Sequence, residues 1–258
     1  MKNLLIKLSL IAIMVVACNT ASAVFTDSLG TLALWHCDAT NWAGATETTP
    51  DDNSSGRAAH DLQINAAGEV TMMPGSPYGG SYLAFDVGDH ATGWGALDPM
   101  PTDYLSIDVS FKASVFPDVG TYKSVLWTGP IRVMLWNNGG TTYLGLLHYN
   151  TGAAVATWNY STQLPAIDTW YSVNAEYAAS SLELTFGNDA DGYTTTTVAC
   201  GEGLWGAADY VCVGWDPFDG TGQRNYGGDL DEMRIKNIPE PFTFGLIGLL
   251  GFLAIRRK

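Results

Sequence analysis

Between Tyr104 and Ala113 apolar and polar positions alternate without a break: Leu105, Ile107, Val109 and Phe111 fall on one side, Ser106, Asp108, Ser110 and Lys112 on the other. A period of two belongs to a strand with one buried face. Ile131–Trp136 and Thr142–Tyr149 read as two more strands, joined through Asn137-Asn138-Gly139-Gly140. Asn and Gly there supply the positive-φ positions of a hairpin turn. Runs punctuated by Gly, Asn, Asp and Pro predict further strands near 31–37, 82–86, 122–128, 153–160, 170–177, 181–187, 193–199, 209–215 and 230–236. The pattern lapses from Asp38 to Asp61, which reads as one long loop. This body holds no helix-period segment of useful length. About a dozen strands without crossover helices predict an all-β, two-sheet antiparallel sandwich.

The two ends follow other rules. Lys2 and Lys7 precede an apolar stretch from Leu8 to Val16, and Ala21-Ser22-Ala23 follows, which is the layout of a secretory signal peptide cleaved after Ala23. A competing reading takes Val15-Val16-Ala17-Cys18 as a loose lipobox with Cys18 acylated. At the far end stand Pro239-Glu240-Pro241, an apolar run of 14 residues from Phe242 to Ile255, and Arg256-Arg257-Lys258. As a helix the run measures about 21 Å, short of the ~17–25 residues of a comfortable span. The basic cluster would hold that end on the cytoplasmic side. These three parts, in this order, resemble the PEP-CTERM sorting signal of Gram-negative bacteria. The resemblance implies that an exosortase-type membrane enzyme acts on the segment bearing Pro239, Glu240, Pro241, Arg256 and Arg257. It also implies a membrane-held intermediate and a destination at the cell surface or in the extracellular matrix. An ordinary tail anchor is the plainer alternative. The chain thus divides into a signal peptide (1–23), a β domain (24–237) and a sorting signal with a membrane helix (238–258).

Charge sharpens this picture. All 26 acidic residues lie between Val24 and Pro241 but only seven of the 12 basic ones do, so that stretch carries a net charge of −19. Such a surface repels phosphate backbones and excludes nucleic acid as a partner. With the leader removed three cysteines remain, Cys37, Cys200 and Cys212. Cys200 and Cys212 fall at the ends of two strands expected to be neighbours, so a bridge between them is expected, worth about 3 kcal/mol by loop closure. Cys37 reads as a buried thiol.

Short motifs through the body point to a family. Leu34-Trp35-His36-Cys37-Asp38, Asn53-Ser54-Ser55-Gly56-Arg57, Gly80-Ser81-Tyr82-Leu83-Ala84-Phe85-Asp86, Asp168-Thr169-Trp170-Tyr171-Ser172-Val173 and Gly228-Asp229-Leu230-Asp231-Glu232-Met233-Arg234-Ile235 follow one another over residues 27–237. Together they resemble a LamG-like domain, which implies a concanavalin A-like (laminin G) jelly roll and says more of fold than of ligand.

Three constellations carry possible chemistry. Glucanases on the resembled fold space their strand acids as Glu-x-Asp-x-x-Glu, whereas here Asp229, Asp231 and Glu232 break that spacing. Retaining hydrolysis needs two carboxyl groups ~5–5.5 Å apart, so salt bridges and turn bonds closing the final strand are the expected role, and no catalytic residue is assigned. Oxygen-rich loops offer Asp216 and Asp219 as calcium ligands; no other cofactor is called for. Gly187-Asn188-Asp189-Ala190-Asp191-Gly192 reads as a strand-connecting turn. Of nine Trp, Trp127, Trp136, Trp158, Trp170 and Trp215 sit in strand patterns and are expected in the core. Trp42, Trp94 and Trp205, flanked by Gly or Asn, are the rings expected to stack on sugar. The expected function is non-enzymatic carbohydrate binding or adhesion in an exopolysaccharide layer. The alternatives are a glycoside hydrolase on the same fold and a purely structural matrix protein.

Overall fold

A computed structural model describes residues 25, 31–37, 41–43, 46–49, 61–64, 70–86, 91–94, 104–149, 156–178, 180–201, 203, 210–216 and 224–237. The leader, Cys18 and the whole sorting signal lie outside them. Among the described residues no helix is long and apolar enough to cross a membrane.

Seventeen strands are found among these residues: β1 (Thr31–Trp35), β2 (Asn41–Ala43), β3 (Thr46–Thr49), β4 (Leu62–Ile64), β5 (Val70–Pro74), β6 (Ser81–Phe85), β7 (Ala91–Trp94), β8 (Tyr104–Ala113), β9 (Tyr122–Trp127), β10 (Ile131–Asn138), β11 (Thr141–Tyr149), β12 (Ala156–Tyr160), β13 (Trp170–Ala178), β14 (Ser181–Asn188), β15 (Gly192–Ala199), β16 (Tyr210–Val213) and β17 (Gly228–Lys236). The first sheet runs β15-β14-β13-β8-β17-β6-β5, with β1 also paired to β17; the second runs β12-β11-β10-β9-β16-β7-β4-β3-β2. All named strand pairs are antiparallel. The expected two-sheet antiparallel jelly-roll sandwich is the observed fold.

Alternation places the core. Ile107, Val109 and Phe111 of β8 are joined by Val173, Leu184 and Phe186 from the first sheet. Val133, Leu135, Leu144, Leu146, Val211 and Val213 meet them from the second. Phe111 stacks on Phe186 with ring centroids 6.2 Å apart, and replacing such a buried ring by Ala costs about 3–5 kcal/mol. Asn159 of β12 ties the sheets at one edge, donating through Nδ2 to the carbonyls of Leu182 and Thr196 at 3.0 and 2.9 Å. The β10–β11 connection closes as expected: Asn138 pairs with Thr141, leaving Gly139 and Gly140 at φ 63° and 95°.

The stretch from Asp38 to Asp61 is not one loop, since β2 and β3 lie within it. Thr46-Glu47-Thr48-Thr49 carries no apolar alternation, and its pairing is by backbone bonds. β5 carries no alternation either, since four of its five side chains are exposed.

Candidate functional site

The odd-numbered apolar residues of β10 point to the core, so Arg132, Met134 and Trp136 share the opposite, outer face of the second sheet. Register extends that face. Trp136 pairs with Tyr122 on one side and Tyr143 on the other. Gly145 lies between Met134 and Tyr160, and Leu147 between Arg132 and Trp158.

On this face half-buried rings gather over β10, β11 and β12. Trp136 and Trp158 have centroids 5.7 Å apart. Trp158 stacks on Tyr160 at 5.8 Å with an interplanar angle of 18°, and Tyr160 meets Tyr143 at 6.1 Å. A shallow cavity of about 90 Å³ opens among Trp136, Asn138, Tyr143 and Tyr160. Gly145 makes room for it: a Cβ there would stand 3.4 Å from both Met134 Cε and Tyr160 Cε1.

Beside this bay sits a buried ion cluster. Arg132 NH2 reaches Asp216 Oδ1 at 3.2 Å, with side-chain exposures of 1% and 0%. Arg132 NH1 donates to Tyr122 Oη at 2.5 Å and to Asp216 Oδ2 at 3.3 Å. The Tyr122 hydroxyl in turn donates to Asp216 Oδ2 at 2.5 Å. Arg224, half exposed, reaches the same carboxylate oxygen at 3.5 Å. The Arg132 guanidinium also lies over the Tyr122 and Trp127 rings, 5.1 and 5.7 Å from their centroids. Burial, then the hydrogen bond to Asp216, pushes the Tyr122 hydroxyl up to about 12. Tyr122 is thus held neutral, pinned between a cation and a carboxylate at the edge of the ring file.

This corrects the expectation of Asp216 as a loop calcium ligand. Its carboxylate is buried and answered by two guanidinium groups, the opposite of an open anionic cage. Its intended companion, Asp219, lies outside the described residues. Among the described residues no group of three or more His, Cys, Asp or Glu comes together to hold a metal.

The expected Cys200–Cys212 bridge is also absent: both are thiols, and Cys37 is a buried thiol as expected. Cys200 follows β15 at an edge of the first sheet, whereas Cys212 pairs with Trp127 and Thr92 inside the second. Their strands are not neighbours. Burial pushes the Cys212 thiol well up, and with Trp127 and Trp215 it forms a small second apolar cluster.

The tryptophans redistribute. Trp127 is buried as expected and Trp215 packs against it half buried, but Trp136, Trp158 and Trp170 are only half buried and lie off the core. Trp42 and Trp94 were expected on loops and instead belong to β2 and β7; their side chains are outside the described residues, as is all of Trp205.

The acidic final strand closes the fold as expected. Asp229 pairs with Lys112 at 2.5 Å. Asp231 accepts from Ser76 Oγ and, through Oδ1, from the Glu232 backbone at 2.8 Å. Glu232 sits at φ 45°, where β17 shifts register against β8, and takes His36 Nδ1 and the Phe25 N–H, each at 3.0 Å. Asp108 takes Arg234 NH2 at 2.9 Å. Each acid answers its own partner. The Asn188–Asp191 turn likewise closes on itself, with Asn188 Oδ1 accepting from the backbone of Ala190 and Asp191.

Comparison with known proteins locates the chain by shape. No family model matches it, and no curated protein matches it. Among solved structures, domain 4 of AbnA, a GH43 extracellular arabinanase from Geobacillus stearothermophilus in complex with arabinotriose, aligns at TM-score 0.53 and 12% identity, over 80% of this chain and 91% of that one. The binding domain of Paraclostridial Mosquitocidal Protein 1 aligns at TM-score 0.54 and 8% identity, over 81% of this chain and 49% of that one. The LG1-3 region of the laminin alpha2 chain aligns at TM-score 0.45 and 13% identity, over 60% of this chain and 31% of that one. The first two likenesses show a shared sandwich fold.

Proposed function

We propose that this protein is an exported, non-enzymatic carbohydrate-binding component of a cell-surface or extracellular-matrix layer, and that it holds glycan in the aromatic bay on the outer face of its second sheet. The observation that carries the reading is the run of half-buried rings Trp158, Tyr160, Trp136 and Tyr143, the last three of which line a cavity edged by Asn138. Planar rings stack on the apolar faces of pyranose and furanose sugars, and a polar group at the edge sets orientation. A shallow, ring-floored bay suits an extended oligosaccharide better than a deeply enclosed small molecule.

Export rests on the Lys2–Ala23 leader and the Pro239–Lys258 tail. In this reading the tail engages an exosortase-type enzyme in the inner membrane before the domain reaches the surface, and the LamG-like character of the body agrees with an adhesive role. The test is a glycan array that includes arabinotriose and arabinan, run with calcium and with chelator. Binding to at least one glycan class, lost in Trp136→Ala and Trp158→Ala variants that retain their fold, is the expected result. Clean absence of binding under both conditions favours a structural matrix protein, and turnover of a bound glycan favours a hydrolase.

A further inference from the structure

The opposite outer face, that of the first sheet, carries a second cavity of about 320 Å³ between β8, β13 and β17. Register builds its floor in two rows. Arg234, Asp108 and Asn174 lie side by side in one, and Lys236, Ser106 and Glu176 in the next. Two cationic and two carboxylate side chains make it nearly neutral, so neither a lone anion nor a lone metal ion is favoured. Nor does a zwitterion fit well, because one of the opposite-charge pairs closes on itself: Arg234 Nε and NH2 both reach Asp108 Oδ2 at 2.9 Å.

What stays open is of hydroxyl scale. Asn174 donates through Nδ2 to Asp108 at 2.7 Å and to Ser106 at 3.0 Å, which keeps its Oδ1 as an acceptor. Glu176 takes the Tyr104 hydroxyl on Oε2 at 3.0 Å and keeps Oε1. Asn174 and Glu176 are half buried and so within reach of a ligand, while Asp108 and Ser106 beside them are buried. Acceptors positioned over a rigid, internally bonded floor match the alternating donors of a ring bearing neighbouring hydroxyls. We infer that this cavity is a second binding site, selective for a neutral polyhydroxylated ligand of the size of one sugar residue. It lies on the other sheet from the aromatic bay and does not depend on it. With both sites occupied the domain would bridge two glycan segments, raising avidity without new contacts.

Burial, with Glu183 and Asp108 nearby, raises the Glu176 carboxyl above its ordinary range.

The test is isothermal titration of the full chain carrying Trp136→Ala and Trp158→Ala, so that the bay is disabled. Glucose, galactose, mannose and arabinose serve as probes, with glycine as the zwitterion. Saturable binding of at least one sugar is expected, weakened roughly tenfold or more by Asn174→Ala, which removes an acceptor, and by Glu176→Gln, which leaves a weaker, neutral acceptor in place of the carboxylate. Two variants are used so that a folding defect in one leaves the other informative, with circular dichroism and thermal melting as controls. No saturable sugar binding, binding indifferent to both substitutions, or binding of glycine in place of sugar would overturn the inference. Failure of the bay reads out separately, as loss of glycan capture by the Glu176→Gln chain with both tryptophans intact.

Discussion

Substituting Asp216 by Ala tests the ion cluster beside the aromatic bay. Asp216 is fully buried and Arg132 nearly so, while Arg224, the other cation in reach, is 44% exposed. A pair of that exposure contributes little, so the effect falls on Arg132, whose guanidinium keeps a buried charge with its carboxylate gone. Breaking a buried pair from one side costs about 3–5 kcal/mol, which for a domain of this size lowers Tm by roughly 6–20 °C. Removing both partners is different in kind: Arg132→Met with Asp216→Leu deletes the charge together with its counter-charge, and such replacements are often neutral. The assay is equilibrium urea unfolding of wild type, both single variants and the pair, followed by tryptophan fluorescence, since Trp127 lies under the guanidinium. The double variant should recover most of the loss, with a coupling energy of at least ~2 kcal/mol. A cost under about 1 kcal/mol for Asp216→Ala, or strictly additive losses, would refute the reading of a buried, mutually dependent pair.

Further outcomes follow from local geometry. His148 is buried, stacks on Tyr177 at 4.8 Å and makes a 3.1 Å bond through Nε2 to the Gly203 carbonyl; burial lowers its pKa. The unfolded state therefore binds the extra proton, so this contribution is full above the ordinary histidine pKa of ~6.5 and is lost as pH falls below it. Thermal melting from pH 8 to 5 should show that loss, and His148→Phe should flatten it; identical profiles would contradict the assignment. Gly187→Ala should destabilise strongly, by several kcal/mol, because its Cβ would meet the Gly192 carbonyl oxygen at 2.1 Å. Gly145→Ala, meeting only side-chain atoms at 3.4 Å, should shift stability by about 1 kcal/mol or less while weakening glycan capture, as urea unfolding and array binding would report. Reducing agent should leave Tm unchanged, since Cys200 and Cys212 are unbridged; a drop on reduction would restore the expected disulfide.

What the sequence made legible was whatever alternation encodes. Leu105 to Phe111, the Gly139-Gly140 turn and the last strand all landed where period and turn chemistry put them. Strands held chiefly by backbone pairing, such as β3 with its Thr and Glu, carry no such signal. Cys200 and Cys212 are near in sequence but not in a sheet, and nothing local says that the chain changes sheets between β15 and β16. Trp136 has the parity of Arg132 and Met134, opposite to Ile131, Val133 and Leu135, and Trp158 and Tyr160 share a parity on β12. Reading strand membership as core membership hid a face that the alternation had already marked as outward. The Arg132–Asp216 pair was beyond reach, since it joins residues 84 positions apart.

The central claim is that the bay on the outer face of the second sheet holds glycan. Its most direct measurement is the affinity of the wild-type chain for an array-selected oligosaccharide against that of the Trp136→Ala, Trp158→Ala double variant. A central aromatic anchor is worth about 2 kcal/mol or more, roughly 30-fold in affinity, so removing both is expected to weaken binding by up to about 1,000-fold, in a variant whose circular dichroism matches wild type. Undiminished affinity in a well-folded double variant would contradict the account.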